Sequence, residues 1–319
     1  MRVIVYGAGA VGGVVGGRLA EHGTDVVLVA RGAHAEAMRR SGLVLESPEG
    51  RTVVAVPVAT HPDQVRFGTG DVVLLAMKSQ HTADALAALR PLVPDTTPVV
   101  CLQNGVANER AASARFANVY GVCVMCPTGH LEPGVVQAYS TPVTGILDIG
   151  RYPSGLDATA EVIAAALNNA TFVSEGRPDI MRWKHAKLLT NLANAVQAVC
   201  GLDGAGRLLE LAKAEGVASF RAAGIDFASD DEDRARRGSL LQMRPIGEGP
   251  RAGGSSWQSL RRRAGSIETD FLNGEIVDVG RRFGVETPVN ALLQRLANEM
   301  AVRGDGPGTW SADEVLARL

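Results

Sequence analysis

The sequence predicts an α/β fold: an N-terminal Rossmann-type parallel sheet over residues 1–175, followed by a C-terminal all-helical domain over 176–319. Three observations carry this. Short apolar runs alternate with helical patterns through the first half of the chain. Gly7-Ala8-Gly9-Ala10-Val11-Gly12 follows the first apolar run at once. After about residue 176 no strand pattern is convincing, and helical periods run to the end.

Taken in order, RVIVY (2–6) is a short apolar run bounded by Gly7, as a parallel strand buried on both faces requires. Residues 10–22 carry small and apolar residues on a helical period and stop at His22-Gly23. DVVLVAR (25–31) reads as a second buried strand, and HAEAMRRSG (34–42) as a helix ended by glycine. LVLES and TVVAVPVAT alternate like a hairpin bridged by Pro48, Glu49 and Gly50. DVVLLAMK (71–78), PVVCLQNG (98–105) and NVYGVCVMC (118–126) are further strands, with a helix predicted over 80–91. VVQAY and GILDIG are strand-like pieces in a glycine- and proline-rich stretch. A helix over 156–168 and the strand TFVSE complete the sheet, and the linker falls around 174–180. Beyond it come one long helix over 180–199, a helix over 206–223, a glycine- and arginine-rich loop near 237–256, and more helix.

Composition excludes several classes. The 319 residues hold 32 basic and 34 acidic side chains, a formal charge of −2. That balance argues against a nucleic-acid binder, which carries a strongly basic domain. The Arg261-Arg262-Arg263 cluster reads as a solvated helix face. Apolar content of 46% argues against disorder. The 37 glycines, well above the roughly 7% of average usage, do not recur every third residue, so collagen is excluded. No run approaches the roughly 18 apolar residues that span a bilayer, so no membrane partner is expected. The opening MRVIVYGAGAVGG is broken by glycine and followed by Glu21 and Asp25, unlike a signal peptide, and cytoplasm is the expected compartment. Cys123 and Cys126 form one C-x-x-C without a second ligand pair, so buried thiols in a strand are expected and no metal site.

The G-x-G-x-x-G pattern gains its meaning from following a strand and opening a helix. Gly7 permits the tight turn, Gly9 lets a pyrophosphate approach the backbone, and Gly12 lets helix and strand pack closely. The helix N-terminus adds free N–H groups and partial positive charge. An NAD site would place an acid at the end of the second strand to bind the ribose 2′-hydroxyl. Here that end reads Val29-Ala30-Arg31, with Asp25 at the wrong end and Glu36 a turn into the next helix. Arginine suits a 2′-phosphate, so NADP (NADPH) is the expected cofactor.

Four further pieces line up: Met77-Lys78-Ser79-Gln80, Gln103-Asn104-Gly105, Lys187-Leu188-Leu189-Thr190-Asn191, and Ser255-Ser256 ahead of Ser266-Ile267-Glu268-Thr269-Asp270. With the glycine loop and Ala30-Arg31, this order and spacing resembles the ketopantoate reductase (2-dehydropantoate 2-reductase) family over nearly the whole chain. The resemblance implies a Rossmann domain followed by a helical domain. It implies that Lys187 donates the proton to a ketone oxygen and that Asn191 binds substrate. Ser256, with Gly253, Gly254 and Ser255 beside it, would hold the substrate carboxylate, and Glu268 would bridge cofactor and substrate as a second catalytic group. Asn104 would touch both cofactor and substrate, and Lys78 and Arg31 the cofactor. His130 falls near a family position that touches cofactor through its backbone; Gly7, Ala8, Gly9, Ala10, Val11 and Gly12 form the cofactor loop.

The chemistry asks for the same residue types. Hydride addition to a 2-oxo acid builds negative charge on the carbonyl oxygen, and a lysine beside it stabilises the charge and delivers a proton. Lys187 and Asn191, four apart, share a helix face. Each residue also has an ordinary reading: Ser255-Ser256 as a cap for a helix starting at Trp257, or Glu268 as a salt bridge to Arg261–Arg263. Two departures stand out. The family's methionine and aspartate after the serines are replaced by Trp257-Gln258-Ser259, and the position of a further asparagine is taken by Ala195, with Asn194 one residue short. Arg251 lies in the loop before the serines. The expected function is an NADPH-dependent reductase of a small 2-oxo acid, most simply 2-dehydropantoate to (R)-pantoate in pantothenate synthesis. Alternatives are a paralogue acting on another 2-oxo acid or imine, and a non-catalytic dinucleotide sensor. The assembly considered is a homodimer through the helical domain.

Overall fold

The computed structural model describes residues 1–202, 206–247 and 253–319. The chain divides into two compact units, one of residues 1–104, 108–184 and 230–251, the other of 105–107, 185–229 and 252–319.

The first unit is built on β1 (Arg2–Tyr6), α1 (Ala10–Glu21), β2 (Asp25–Val29), α2 (Gly32–Ser41), β3 (Leu43–Ser47), β4 (Gly50–Val54) and β5 (Val58–Ala59). It continues with β6 (Asp71–Leu75), α3 (Thr82–Leu89), β7 (Val99–Cys101), α4 (Ala107–Ser113), β8 (Val119–Met125), β9 (Thr128–Gly129) and β10 (Val135–Ala138). Then come β11 (Ser140–Pro142), β12 (Gly145–Arg151), α5 (Ala158–Asn168), β13 (Phe172–Val173) and the start of α6 (Ile180–Asn191), which continues into the second unit. The large sheet runs β13-β12-β8-β7-β6-β1-β2-β5. Its strands are apolar without alternation because both faces are covered. Val3 and Val5 enter one core with Val72, Leu74 and Val100, while Ile4 enters the other with Val73, Leu75 and Val99.

Two strands depart from the expected parallel sheet: β12 runs antiparallel to β8, and β13, paired parallel to β12, shares its direction. No helix lies between β8 and β12; β9, β10 and β11 do, so the chain re-enters the sheet from the end at which it left. The predicted hairpin forms, with Leu43 opposite Val54 and Ser47 opposite Gly50. It belongs to a second sheet, β4-β3-β10-β9, and its second run stops before Pro57, which offers no N–H. Val58–Ala59 then joins the large sheet beside β2.

Helix α1 lies between the two sheets, and its glycines make this fit. A Cβ on Gly16 would stand 2.5 Å from Leu28 Cδ2, toward the large sheet. A Cβ on Gly13 would meet Val136 at 2.7 Å and one on Gly17 would meet Leu43 and Leu45 at 3.1 Å, toward the small sheet. Cys123 is buried in β8, while Cys126 sits just beyond its end; burial pushes its thiol up to about 12.

The predicted long helix over 180–199 is two helices, α6 and α7 (Ala193–Cys200), separated by Leu192. After α8 (Gly206–Ala222), α9 (Asp230–Arg237) and β14 (Leu241–Met243) return to the first unit. There β14 pairs with β11, and Arg236 forms a bidentate pair with buried Asp148 at 2.6 and 2.8 Å. A three-residue, largely exposed strand paired with a segment about a hundred residues upstream leaves no periodic signal, so the sequence predicts no strand here. The unit boundary falls inside α6 at Lys184/His185, later than the expected 175.

The second unit holds α7, α8, α10 (Ser255–Arg261), α11 (Asn273–Phe283), α12 (Pro288–Arg303) and α13 (Ala312–Leu316). Its core includes Leu192, Val196, Leu208, Phe220, Ile276, Leu293 and Met300. Glu215 secures the start of α12 by accepting from the backbone N–H of Val289 and Asn290 at 2.8 and 2.9 Å, where a carboxylate meets the positive helix end. Among the described residues no helix is long and apolar enough to cross a membrane.

Candidate active site

In the first unit the expected cofactor residues follow the C-terminal ends of four neighbouring parallel strands, ordered β7-β6-β1-β2. Asn104 follows β7, Lys78 follows β6, Gly7–Gly12 follow β1 and Arg31 follows β2. This edge of a parallel sheet is where dinucleotides lie, strand spacing of about 4.8 Å carrying the ligand from one loop to the next.

The three glycines of the loop differ in what they permit. Gly7 has φ +103°, and a Cβ there would meet Met77 N at 2.5 Å. A Cβ on Gly12 would stand 2.3 Å from Gly7 O and 2.8 Å from Ala76 Cβ. These two serve the turn and the helix–strand contact. At Gly9 a Cβ would meet nothing within 4 Å, so this glycine is not demanded by packing. It leaves open backbone at the start of α1, whose first i→i−4 bond is Gly13 N–H to Gly9 O at 2.7 Å; the preceding helical N–H groups have no intrahelical acceptor. The loop therefore fits a pyrophosphate. Arg31 is exposed at the N-cap of α2, and its guanidinium offsets the upward push of burial on the Tyr6 phenol at the end of β1.

Behind Lys78 and Asn104 lies a network that the sequence reading missed. Buried Gln103 donates to Met77 O and to Thr82 Oγ1, both at 2.8 Å. Thr82 donates to Asn108 Oδ1 at 2.8 Å, and Asn108 donates to Asn104 O at 3.0 Å and Ser79 Oγ at 3.1 Å. The Met77–Gln80 and Gln103–Gly105 loops are thus tied by side chains of their own. Lys184 Nζ donates to Gln103 O at 2.7 Å and Val122 O at 2.9 Å, and lies 2.9 Å from Glu109 Oε1. Lys184 and Glu109 side chains are 2% and 0% exposed. Their contact is off the line of a directed hydrogen bond and holds as an ion pair. Burial pushes the Glu109 carboxyl up and the Lys184 ammonium pulls it part way back. An isolated lysine or glutamate in a helix pattern looks solvated in sequence, so no local signal could have found this pair.

The second unit carries the expected substrate residues. Lys187 Nζ donates to Asn191 Oδ1 at 2.5 Å, one turn apart on α6 as the spacing predicts. Asn191 is buried. The pair brings an ammonium and a side-chain amide together on one face of α6. Helix α10 packs on α7, and Gly254 N–H donates to Gln197 Oε1 at 3.1 Å. Asn194 faces the same place: a Cβ on Gly254 would meet its Oδ1 at 2.6 Å. Ala195 is core. The asparagine one residue out of register is therefore the one beside the serines.

Gly254 is the N-cap of α10 and no side chain caps it, so Ser255 and Ser256 are not there as caps. Ser255 Oγ donates to Glu268 Oε2 at 3.4 Å, joining two of the expected residues. Ser256 Oγ is buried and makes no hydrogen bond among the described residues. Trp257 packs its indole against Gly253, where a Cβ would lie 2.6 Å from Cγ. His130 sits in the β9–β10 turn, its Nδ1 donating to Val135 O at 3.0 Å and its ring 4.1 Å from that of His34. Arg251 lies outside the described residues.

Residues 3–154 match the family model described as ketopantoate reductase PanE/ApbA, and residues 179–301 match the model of its C-terminal domain. The chain belongs to the ketopantoate reductase family. It is 31% identical to a 2-dehydropantoate 2-reductase of Pyrococcus horikoshii, over 96% of this chain and 99% of that one. It is also 31% identical to a 2-dehydropantoate 2-reductase of Halobacterium salinarum, over 93% and 97% of the two chains. A PanE/ApbA family ketopantoate reductase from Ralstonia eutropha JMP134 superposes with TM-score 0.79 at 30% identity, covering 95% of this chain and 99% of that one. A D-mandelate dehydrogenase solved with NADH and anilino(oxo)acetate shares the fold at TM-score 0.79 and 20% identity, over 95% and 99%. The family is one of oxidoreductases acting on CH–OH groups.

Proposed function

We propose that this ketopantoate reductase family member is an NADPH-dependent reductase of a small 2-oxo acid, with 2-dehydropantoate, reduced to (R)-pantoate for pantothenate synthesis, as first candidate. The observation that carries the reading is the set of groups in the helical unit: Lys187 bonded to Asn191, and the buried Ser256 hydroxyl, which makes no hydrogen bond among the described residues. A 2-oxo acid offers a carboxylate and a carbonyl, both acceptors, which is what donors select.

Gly7–Gly12 would hold the pyrophosphate, Arg31 the 2′-phosphate, and Lys78 and Asn104 the nicotinamide side; bound there, NADPH would supply the hydride. Ser256, flanked by Gly253, Gly254 and Ser255, would receive the substrate carboxylate. The Lys187 ammonium would bind the ketone oxygen, stabilise its growing charge and pass it a proton. Asn191 keeps the ammonium aimed. Glu268, through Ser255, would orient the donors.

A second reading has one observation in its favour. Trp257 stands directly after Ser256, and an indole there suits a larger 2-oxo acid. Absorbance assays of NADPH oxidation with ketopantoate, smaller aliphatic 2-oxo acids and phenylglyoxylate separate the two. Turnover of ketopantoate at the highest kcat/KM is expected. Preference for phenylglyoxylate would move the substrate and keep the reaction, whereas NADPH binding without turnover of any acid would favour the sensor.

Cofactor choice has its own test. Arg31→Ala is expected to raise KM for NADPH roughly 10- to 100-fold, as the loss of charged hydrogen bonds of about 1.5–3 kcal/mol implies, with little change for NADH. Equal effects on the two cofactors would remove the 2′-phosphate role.

A further inference from the structure

His34 stands at the centre of three segments that the proposed function leaves unconnected. Its Nε2 donates to Ala8 O, inside the glycine loop, at 2.7 Å. Its Nδ1 accepts from Gly134 N–H, in the turn before β10, at 2.8 Å. A carbonyl can only accept and an N–H can only donate, so the two contacts together select the neutral ring with hydrogen on Nε2. The residue lies in the first turn of α2, three positions after Arg31, and its ring is 4.1 Å from His130. The Gly134 turn is seated closely on α2: Gly134 has φ +82°, and a Cβ there would stand 2.9 Å from Ala37 Cβ.

We infer that His34 is a positioning residue for the dinucleotide, holding the glycine loop at Ala8 and the start of α2, with Arg31, in one arrangement through the turn at Gly134. The inference rests on the reading that this loop takes the cofactor pyrophosphate. Gly9 explains why such a clamp is useful. Nothing packs within 4 Å of where its side chain would be, so the loop's outer edge has no wall of its own. A carbonyl bond one residue earlier supplies the restraint that packing does not. Preorganised backbone N–H groups bind an anion more tightly because less freedom is lost on binding. His130 then belongs to this clamp, since its ring lies against His34 while its Nδ1 is engaged by Val135 O.

The test uses the full-length protein and three variants. His34→Leu keeps bulk and removes both bonds. His34→Gln can restore both, its amide N–H donating to Ala8 O and its carbonyl accepting from Gly134 N–H. Gly134→Ala leaves the ring intact and pushes the turn off Ala37. Dissociation constants for NADPH, kcat, and KM for the 2-oxo acid are measured together with Tm in the absence and presence of NADPH. His34→Leu is expected to weaken NADPH binding about tenfold or more, with kcat and the 2-oxo acid KM within about twofold. Gly134→Ala should shift the same parameter in the same direction, and His34→Gln should recover most of the affinity. Unchanged NADPH affinity in both His34→Leu and Gly134→Ala, or equal losses in NADPH affinity, kcat and 2-oxo acid KM, would overturn the inference. So would His34→Gln as weak as His34→Leu. Wild-type protein that binds neither NADPH nor NADH would instead remove the underlying cofactor reading, and this inference with it. If His34→Leu does not fold, Gly134→Ala and His34→Gln carry the same comparison.

Discussion

Lys187→Ala is expected to lower kcat by about 10²-fold or more, the usual weight of a positioned general acid, while NADPH affinity changes little. Lys187 Nζ donates to Asn191 Oδ1 at 2.5 Å, which fixes the direction of the ammonium on α6. In the ground state a ketone oxygen is a weak acceptor; as hydride adds, it becomes an alkoxide, and the same ammonium interaction strengthens. The loss should therefore fall mainly on kcat. Asn191→Ala should produce a smaller loss, since it frees the ammonium without removing it. Steady-state kinetics with saturating NADPH decide the matter: an unchanged kcat in Lys187→Ala would end the general-acid assignment and move the role to another donor.

The second large effect concerns stability. Lys184→Met is expected to cost about 3–5 kcal/mol, because it leaves the Glu109 carboxyl buried without its cation. Both side chains are almost wholly inaccessible, and the ammonium also carries the carbonyls of Gln103 and Val122. Urea unfolding of the single variants and of Lys184→Met/Glu109→Leu measures the coupling. The double variant should recover a large part of the loss, since no charge is then left buried. Single variants within about 1 kcal/mol of wild type would mean that water reaches the pair. A smaller functional effect should accompany the large stability effect, because Gln103 O precedes Asn104 and holds that loop in register.

Much of the architecture could be read from local pattern. The runs RVIVY, DVVLV, DVVLL and PVVC become neighbouring strands, since a strand covered on both faces must be apolar at every position. The glycine loop could be read because Gly7 and Gly12 answer steric demands set within a few residues of chain and by the strand next door. Lys187 and Asn191 meet as expected, since a separation of four on a helix is a local distance.

What escaped local pattern depends on partners distant in sequence. The reversed direction of β12, the return of β14 to β11, and the break at Leu192 leave little mark on periodicity. The same holds within the candidate site. Lys184, Glu109, Thr82 and Asn108 carry no motif, yet together with Gln103 they tie the loops that carry Lys78 and Asn104. His34 looks like a surface residue of a polar helix until Ala8 and Gly134 are seen on its two nitrogens. The chain alone therefore announces the dinucleotide fold, the arginine at the second strand's end and the lysine–asparagine pair, all of which obey short-range spacing rules. The arrangement that holds them is decided in three dimensions, because a buried charge or a two-sided imidazole is favourable only once specific partners far along the chain have replaced water.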